Sequence, residues 1–321
     1  MSKESYDAIP PPDETDTPTP PPSKSAPRAK AVTTATTKPL PRGFGKRGKR
    51  VLIYGEGGSG KTTLATTLQG KTLFIDLEGS LPDLFDEDSL PSNITPYWPQ
   101  SWEEVERALN SKNAREYQNI VVDSLTALES MFWRYIATHC RKAKEGYGMV
   151  TFSDQPLPPL KDEKELGGGG GDSAKYAMWS RFEEAINALS AEGVNIIDIC
   201  HDCEKTKDDS ADGVETRHQP RLNDPNSGKN SIRMRAYEIH GEVWAIRWEK
   251  LRVDDNRMKL TGRRIVYGQP DVEHAADFVG LMTKSRRGFH VAYLDEFDIN
   301  EVLGISAPAE PNAEPPPPTD E

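Results

Sequence analysis

Four short apolar runs mark the middle of the chain: Val51–Tyr54, Thr72–Leu77, Asn119–Val122 and Val194–Cys200. Unbroken runs of this length predict strands buried on both faces. Between them, Lys61–Leu68, Ser101–Leu109, Leu125–Cys140 and Ala174–Ala191 carry apolar residues at helical spacing. The second of these helices opens on a capping box, Ser101-Trp102-Glu103-Glu104. Strands alternating with helices predict an α/β fold with a mainly parallel central sheet covered by helices on both sides. Further on, Val243–Trp248, Arg264–Tyr267 and His290–Leu294 read as strands with little helix between them. They predict a C-terminal β extension of the sheet, partly antiparallel. Residues 146–173, with the run Gly167–Gly171, and residues 204–231 are polar enough to read as long mobile loops.

Composition trims the folded part. Residues 1–45 are rich in Pro, Thr, Ser and Ala and end in basic residues, and residues 306–321 are rich in Pro and Glu. Neither tail has the apolar content to offset chain entropy, so both are expected to be disordered, leaving 46–305 as one domain. The net charge of −11 repels nucleic acid at long range, so any such binding needs a local basic patch. One candidate patch is Arg42, Lys46, Arg47, Lys49 and Arg50; a solvated linker is the alternative. Three cysteines cannot all pair, and the first residues do not read as a signal peptide, so a cytoplasmic protein is expected. No apolar run approaches the roughly 20 residues needed to span a bilayer, so no membrane partner is expected.

The chemistry begins where the first strand ends. Gly55-Glu56-Gly57-Gly58-Ser59-Gly60-Lys61-Thr62, followed by Thr63, fits G-x-x-x-x-G-K-[ST], the P-loop pattern. Its glycines let backbone N–H groups curl around a phosphate chain. Lys61 brings charge to the β- and γ-phosphates of ATP, and Thr62 offers a hydroxyl to Mg²⁺. Asp123, at the carboxyl end of its strand, is the expected second Mg²⁺ ligand. Ser124, not a glutamate, follows it. The expected water-activating carboxylate is therefore Glu78, two residues past Asp76 at another strand end. His201, closing the run Ile196–Cys200, is placed to sense the γ-phosphate. The C-x-x-C of Cys200 and Cys203 lacks a second cysteine pair to complete a zinc site.

In this order, GEGGSGKTT, TLFIDLEGSLPDL, NIVVDSLTALES and VNIIDICHD, the chain resembles the RecA/Rad51-like core ATPases, in particular phage-encoded single-strand-annealing recombinases. The resemblance runs from about Arg50 to Asp202. It implies a RecA-like P-loop NTPase fold, with Glu78, Asp123 and His201 at the family's catalytic, Walker B and sensor positions. It also implies ATP hydrolysis, head-to-tail homo-oligomers, and single-stranded DNA bound by the two loops. In the first loop Tyr147 and Phe152 are candidates for base stacking. In the second, Lys205, Lys207, Arg217, His218, Arg221 and Lys229 supply charge, with Arg233 and Arg235 just beyond. A cation supplied in trans falls on Arg263 or Arg264, and a single-strand-binding protein is a further candidate partner. Two other readings stay open: a P-loop ATPase switch or loader acting on a protein partner without DNA, and a small-molecule kinase.

Overall fold

The computed structural model describes residues 47–305 apart from 87, 145, 147, 210–212, 226–229, 255–256 and 271–279; the side chains of 206–215 and 251–258 are likewise not described. The expected tails therefore lie outside the described residues. The first half of the fold alternates as the apolar pattern predicts: β1 (Arg50–Gly55), α1 (Lys61–Thr66), β2 (Thr72–Asp76), α2 (Ser80–Leu84), β3 (Ile94–Tyr97), α3 (Trp102–Asn110), β4 (Asn119–Asp123) and α4 (Leu125–His139). A small separate hairpin follows, β5 (Cys140–Lys142) with β6 (Val150–Phe152), then α5 (Gly170–Ala191), β7 (Asn195–Asp209) and β8 (Gly213–Pro220). The chain closes with α6 (Ile232–Ile239), β9 (Glu242–Asp254), β10 (Arg257–Tyr267), β11 (Lys284–Ser285), β12 (Val291–Tyr293) and α7 (Ile299–Leu303).

The main sheet runs β12-β10-β9-β1-β7-β4-β2-β3. The six strands from β9 to β3 are parallel, whereas β10 and β12 run antiparallel, which is the mixed C-terminal extension expected. Successive side chains alternate between faces, and both faces are buried. Leu52, Tyr54, Ile75, Ile120, Val122 and Ile196 pack under α3, α4, α5 and α6. Val51, Ile53, Phe74, Val121, Ile197, Ile199 and Trp244 pack on the other side with Leu64, Leu81, Ile299 and Leu303. Each such side chain contributes about 1.5–3 kcal/mol by leaving water. Trp102, fully buried, meets Phe132 edge-on at 5.0 Å between ring centroids. Ser101 caps α3 by accepting from Glu104 N, while the Glu104 carboxylate reaches Gln100 N rather than the cap residue itself.

A hydrogen-bonded His–Asp pair is sealed inside. His240 and Asp198 are both fully buried; His240 Nε2 lies 2.8 Å from Asp198 Oδ2, and Nδ1 lies 2.7 Å from Ala236 O.

Both segments expected as loops contain regular elements among their described residues. The second is an antiparallel hairpin, because β7 does not stop at Cys200 but continues to Asp209 and pairs with β8 through Asp202↔Pro220 and onward. The run His201–Asp209 is polar and mostly charged, which hid this strand from a search for apolar runs. In the first, Gly170 and Gly171 form the opening turn of α5, which starts four residues before the expected Ala174. A Cβ at Gly171 would lie 2.8 Å from Glu163 Oε2, and one at Gly170 would lie 3.0 Å from Leu166 Cβ. Those glycines allow close approach to the neighbouring 3-10 turn. Phe152 lies beside Tyr135 at 6.3 Å between ring centroids and remains 38% exposed. Tyr147 and Lys229, like Arg42 and Lys46, lie outside the described residues, as does the side chain of Lys207.

Candidate active site

Register brings the candidate residues into one row. Gly55 of β1 stands beside His201 of β7, and Asp123 of β4 stands beside both Asp76 of β2 and Ile199 of β7. All sit at the carboxyl edge of the parallel strands, where ligands bind in open α/β sheets.

The glycine loop is held tightly at its base. A Cβ on Gly55 would lie 2.4 Å from Ile246 O of β9, so only glycine fits there. Gly58 and Gly60 take φ of +71° and +93°, in the left-handed region that glycine tolerates. Gly57 has open space around it, and the Ser59 hydroxyl is buried with no partner. An orphaned donor beside an open glycine turn fits a phosphate-bearing ligand. Lys61 is only 6% exposed and donates to Gly55 O at 2.9 Å and Glu56 O at 2.7 Å. Burial lowers its pKa, against the pull of Asp123 and Glu78. Thr63 points into an adjoining cleft shared with Arg264 and Asp295.

Thr62 Oγ1 donates to Asp123 Oδ2 at 2.6 Å, which places the two expected metal ligands side by side. Asp123 is 2% exposed; burial pushes its carboxyl up to about 6, with Glu78 and Asp76 adding to the rise and Thr62 opposing it. A hydroxyl and a carboxylate oxygen are the hard donors that Mg²⁺ takes.

Glu78 is clamped from two sides. His201 Nε2 lies 3.0 Å from both of its carboxylate oxygens, and Ser124 Oγ donates to Oε1. The His201 bond is the largest cause holding the Glu78 carboxyl below its ordinary range. Ser124 also caps α4 by accepting from Ala127 N. His201 is fixed in turn through its N–H, which donates to Thr126 Oγ1 at 3.1 Å.

Three residues essential to this geometry had no role assigned to them from sequence. Asp76 is buried, and its Oδ1 accepts from the backbone N–H of Glu78, Gly79 and Ser80; its Oδ2 accepts from Leu81 N and Trp98 Nε1. The whole turn carrying Glu78 is wound around that carboxylate. Arg247 of β9 reaches Glu56 at 3.3 Å and Asp202 at 3.6 Å, tying the glycine loop to the base of the β7–β8 hairpin. Asp202 also meets His218 at 3.1 Å, and burial raises its pKa. Asp76 was visible as a strand-end acid; Arg247 and Asp202 carried no local signal because their partners lie far away in sequence.

The cysteines are accounted for by packing. Cys200 lies buried against Thr126, and burial pushes its thiol up to about 12. Arg264 rests against its own glycine loop, since a Cβ at Gly60 would lie 2.7 Å from Arg264 Nη1. Arg263 stacks on Tyr293 at 3.2 Å and pairs with Glu296. Among the described residues no helix is long and apolar enough to cross a membrane.

Residues 47–233 match the family model described as the AAA domain. No curated protein matches the chain. Among solved structures, a KaiC-like protein from the hyperthermophilic archaeon Pyrococcus horikoshii is similar over 69% of this chain and 78% of its own, with 14% identity and a TM-score of 0.38. That similarity is too loose to carry residue roles across. The family match covers more than half of the chain and holds every strand that lines the cleft except β9. The protein therefore belongs to the AAA-domain family and has a P-loop NTP hydrolase core that binds ATP.

Proposed function

We propose that the protein is a Mg²⁺-dependent ATPase in which hydrolysis moves the β7–β8 hairpin. The observation that carries this is the Glu78–His201 contact, with both carboxylate oxygens 3.0 Å from Nε2. The residue suited to orient water is bonded to the residue that leads directly into the hairpin.

In the proposed reaction the loop 55–60 and Lys61 hold the triphosphate, and Thr62 with Asp123 holds Mg²⁺, which neutralises phosphate charge when bound. His201 then has two acceptors to choose from: the Glu78 carboxylate and the γ-phosphate. When it turns to the phosphate, Glu78 loses a hydrogen bond that depresses its basicity and becomes a better acceptor for the attacking water. Loss of the phosphate returns His201 to Glu78 and carries β7 with it. Glu78→Gln should keep ATP binding and lose turnover; wild-type turnover in that variant overturns the assignment.

The output is best read as a switch or loader acting on a protein partner. Net charge is −11, and the hairpin base mixes Asp202 and Glu204 with Lys205. A second reading, single-stranded DNA annealing or recombination by a phage protein, draws on the RecA resemblance and on exposed Lys205, Arg217 and Arg221 along that hairpin. In that case a homo-oligomer and a single-strand-binding protein are the expected partners. Steady-state hydrolysis with and without single-stranded DNA at low salt separates the two. Strong stimulation supports the DNA reading, whereas an unchanged rate with no DNA binding supports the protein-partner switch.

A further inference from the structure

A second cavity, of about 700 Å³, opens on the far side of the hairpin base, between β7–β8, α6 and residues 280–283. Its size lies in the range of roughly 300–1,000 Å³ usual for small-molecule sites. Three of its lining residues carry buried polar atoms with no hydrogen-bond partner: Gln219 Nε2, Arg233 Nε and Thr283 Oγ1. Those residues are 7%, 6% and 8% exposed, so bulk water does not serve them. Unpaired buried polar atoms are rare, and three on residues that line one cavity point to a missing acceptor. Charge agrees. Lys205, Arg217 and Arg233 line the cavity against one acid, Asp224, which is already engaged by Arg233, by Lys205 at 3.3 Å and by Ser231 Oγ at 2.7 Å. The remaining wall is apolar, formed by Met234, Tyr237 and Leu281.

We propose that this cavity binds a small organic anion, an oxyanion head on a flat apolar body. The head takes the donors of Arg233, Gln219 and Thr283, and the body lies along Tyr237 and Met234. The site is distinct from the ATP cleft, because none of its lining residues belongs to the glycine loop, Glu78 or Asp123.

The test uses the full-length protein with ADP and Mg²⁺ saturating the ATP cleft, and three probes: inorganic phosphate, phenyl phosphate and benzoate. Binding is read by calorimetry and by the shift in melting temperature. Phenyl phosphate, benzoate or both should bind one per chain at millimolar concentration or better, the stronger of the two identifying the head group. Thr283→Val and Gln219→Leu should each weaken that binding about tenfold. Thr283→Val should not destabilise the free protein, because the hydroxyl it removes has no internal partner. Absence of binding by all three probes, or binding untouched by both substitutions, overturns the proposal. Inorganic phosphate binding as tightly as phenyl phosphate overturns the apolar part of the ligand class. ATP turnover is not the readout, so failure of the hydrolysis scheme leaves this result standing.

Discussion

Asp76→Asn is the sharpest test of how the candidate active site is built. The wild-type carboxylate accepts five hydrogen bonds, three on Oδ1 and two on Oδ2. An asparagine has one acceptor oxygen. Its best placement keeps the three N–H groups of residues 78–80 and turns its own NH₂ against Leu81 N–H and Trp98 Nε1–H. Two hydrogen bonds to a charged group are lost and donors face donors. At about 1.5–3 kcal/mol for each such bond, the expected loss is about 3–6 kcal/mol, against a whole-domain stability of about 5–15 kcal/mol. Trp98→Phe removes a single donor and should cost about half as much, which calibrates the scale if the asparagine variant is too unstable to handle. Because the turn around residue 76 carries Glu78, turnover should fall by about 10²-fold through misplacement alone. Binding of a fluorescent ATP analogue should change little, since Lys61 and Thr62 do not touch Asp76. Urea unfolding gives the first number and steady-state hydrolysis the second. An Asp76→Asn protein within about 1 kcal/mol of wild type and with wild-type turnover would refute the reasoning.

Three further outcomes follow from the same geometry. Burial raises the Asp123 carboxyl to about 6. A raised carboxyl favours the protonated folded state, so its contribution of about 3 kcal/mol to the nucleotide-free protein is full below the unfolded value of about 3.9 and is lost as pH rises through about 6, with about 2 kcal/mol of it lost between about pH 4 and 6; Asp123→Asn should flatten that slope in urea titrations, and Mg²⁺ affinity should tighten across the same window. His201→Ala removes the bond that most depresses the Glu78 pKa in the nucleotide-free protein, so the acid limb of the kcat/KM–pH profile should move upward, with ADP affinity unchanged and ATP affinity weakened by the lost γ-phosphate contact. His240→Leu strands the buried Asp198 carboxylate and should cost about 3–5 kcal/mol in chemical denaturation, most of it recovered by the Asp198→Leu/His240→Leu double variant.

How much of this was legible from sequence depends on whether the cause was local. β1, β2, β4 and the start of β7 are unbroken apolar runs because both faces of the sheet are buried, so they declared themselves. The glycine loop with Lys61 and Thr62 did so too, because the motif specifies its own backbone. Asp123, Glu78 and His201 stood out as polar residues at strand ends; register sets His201 beside Gly55 and Asp123 beside Asp76, and Glu78, just past β2, meets His201 through its side chain. The β7–β8 hairpin stayed hidden because its pairing is polar and the strands leave the buried sheet. β3 contains Pro96 at a sheet edge, and the run Ile232–Ile239 mixes arginines into its apolar positions, so neither gave a clean period. Arg247 was invisible for a different reason: its meaning lies wholly in two acids brought to it by folding.

β1 is flanked by β7 on one side and β9 on the other. The strand that ends in the glycine loop is therefore completed by a segment made long after it on the ribosome. Until Glu242–Asp254 emerges, the nascent chain holds a finished phosphate loop on an open, fully apolar edge, the kind of edge that recruits other strands. A fragment trimmed to the family match at residue 233 would keep that edge permanently, and it should precipitate rather than hydrolyse ATP. The minimal autonomous unit is thus longer than the matched segment and extends through β9.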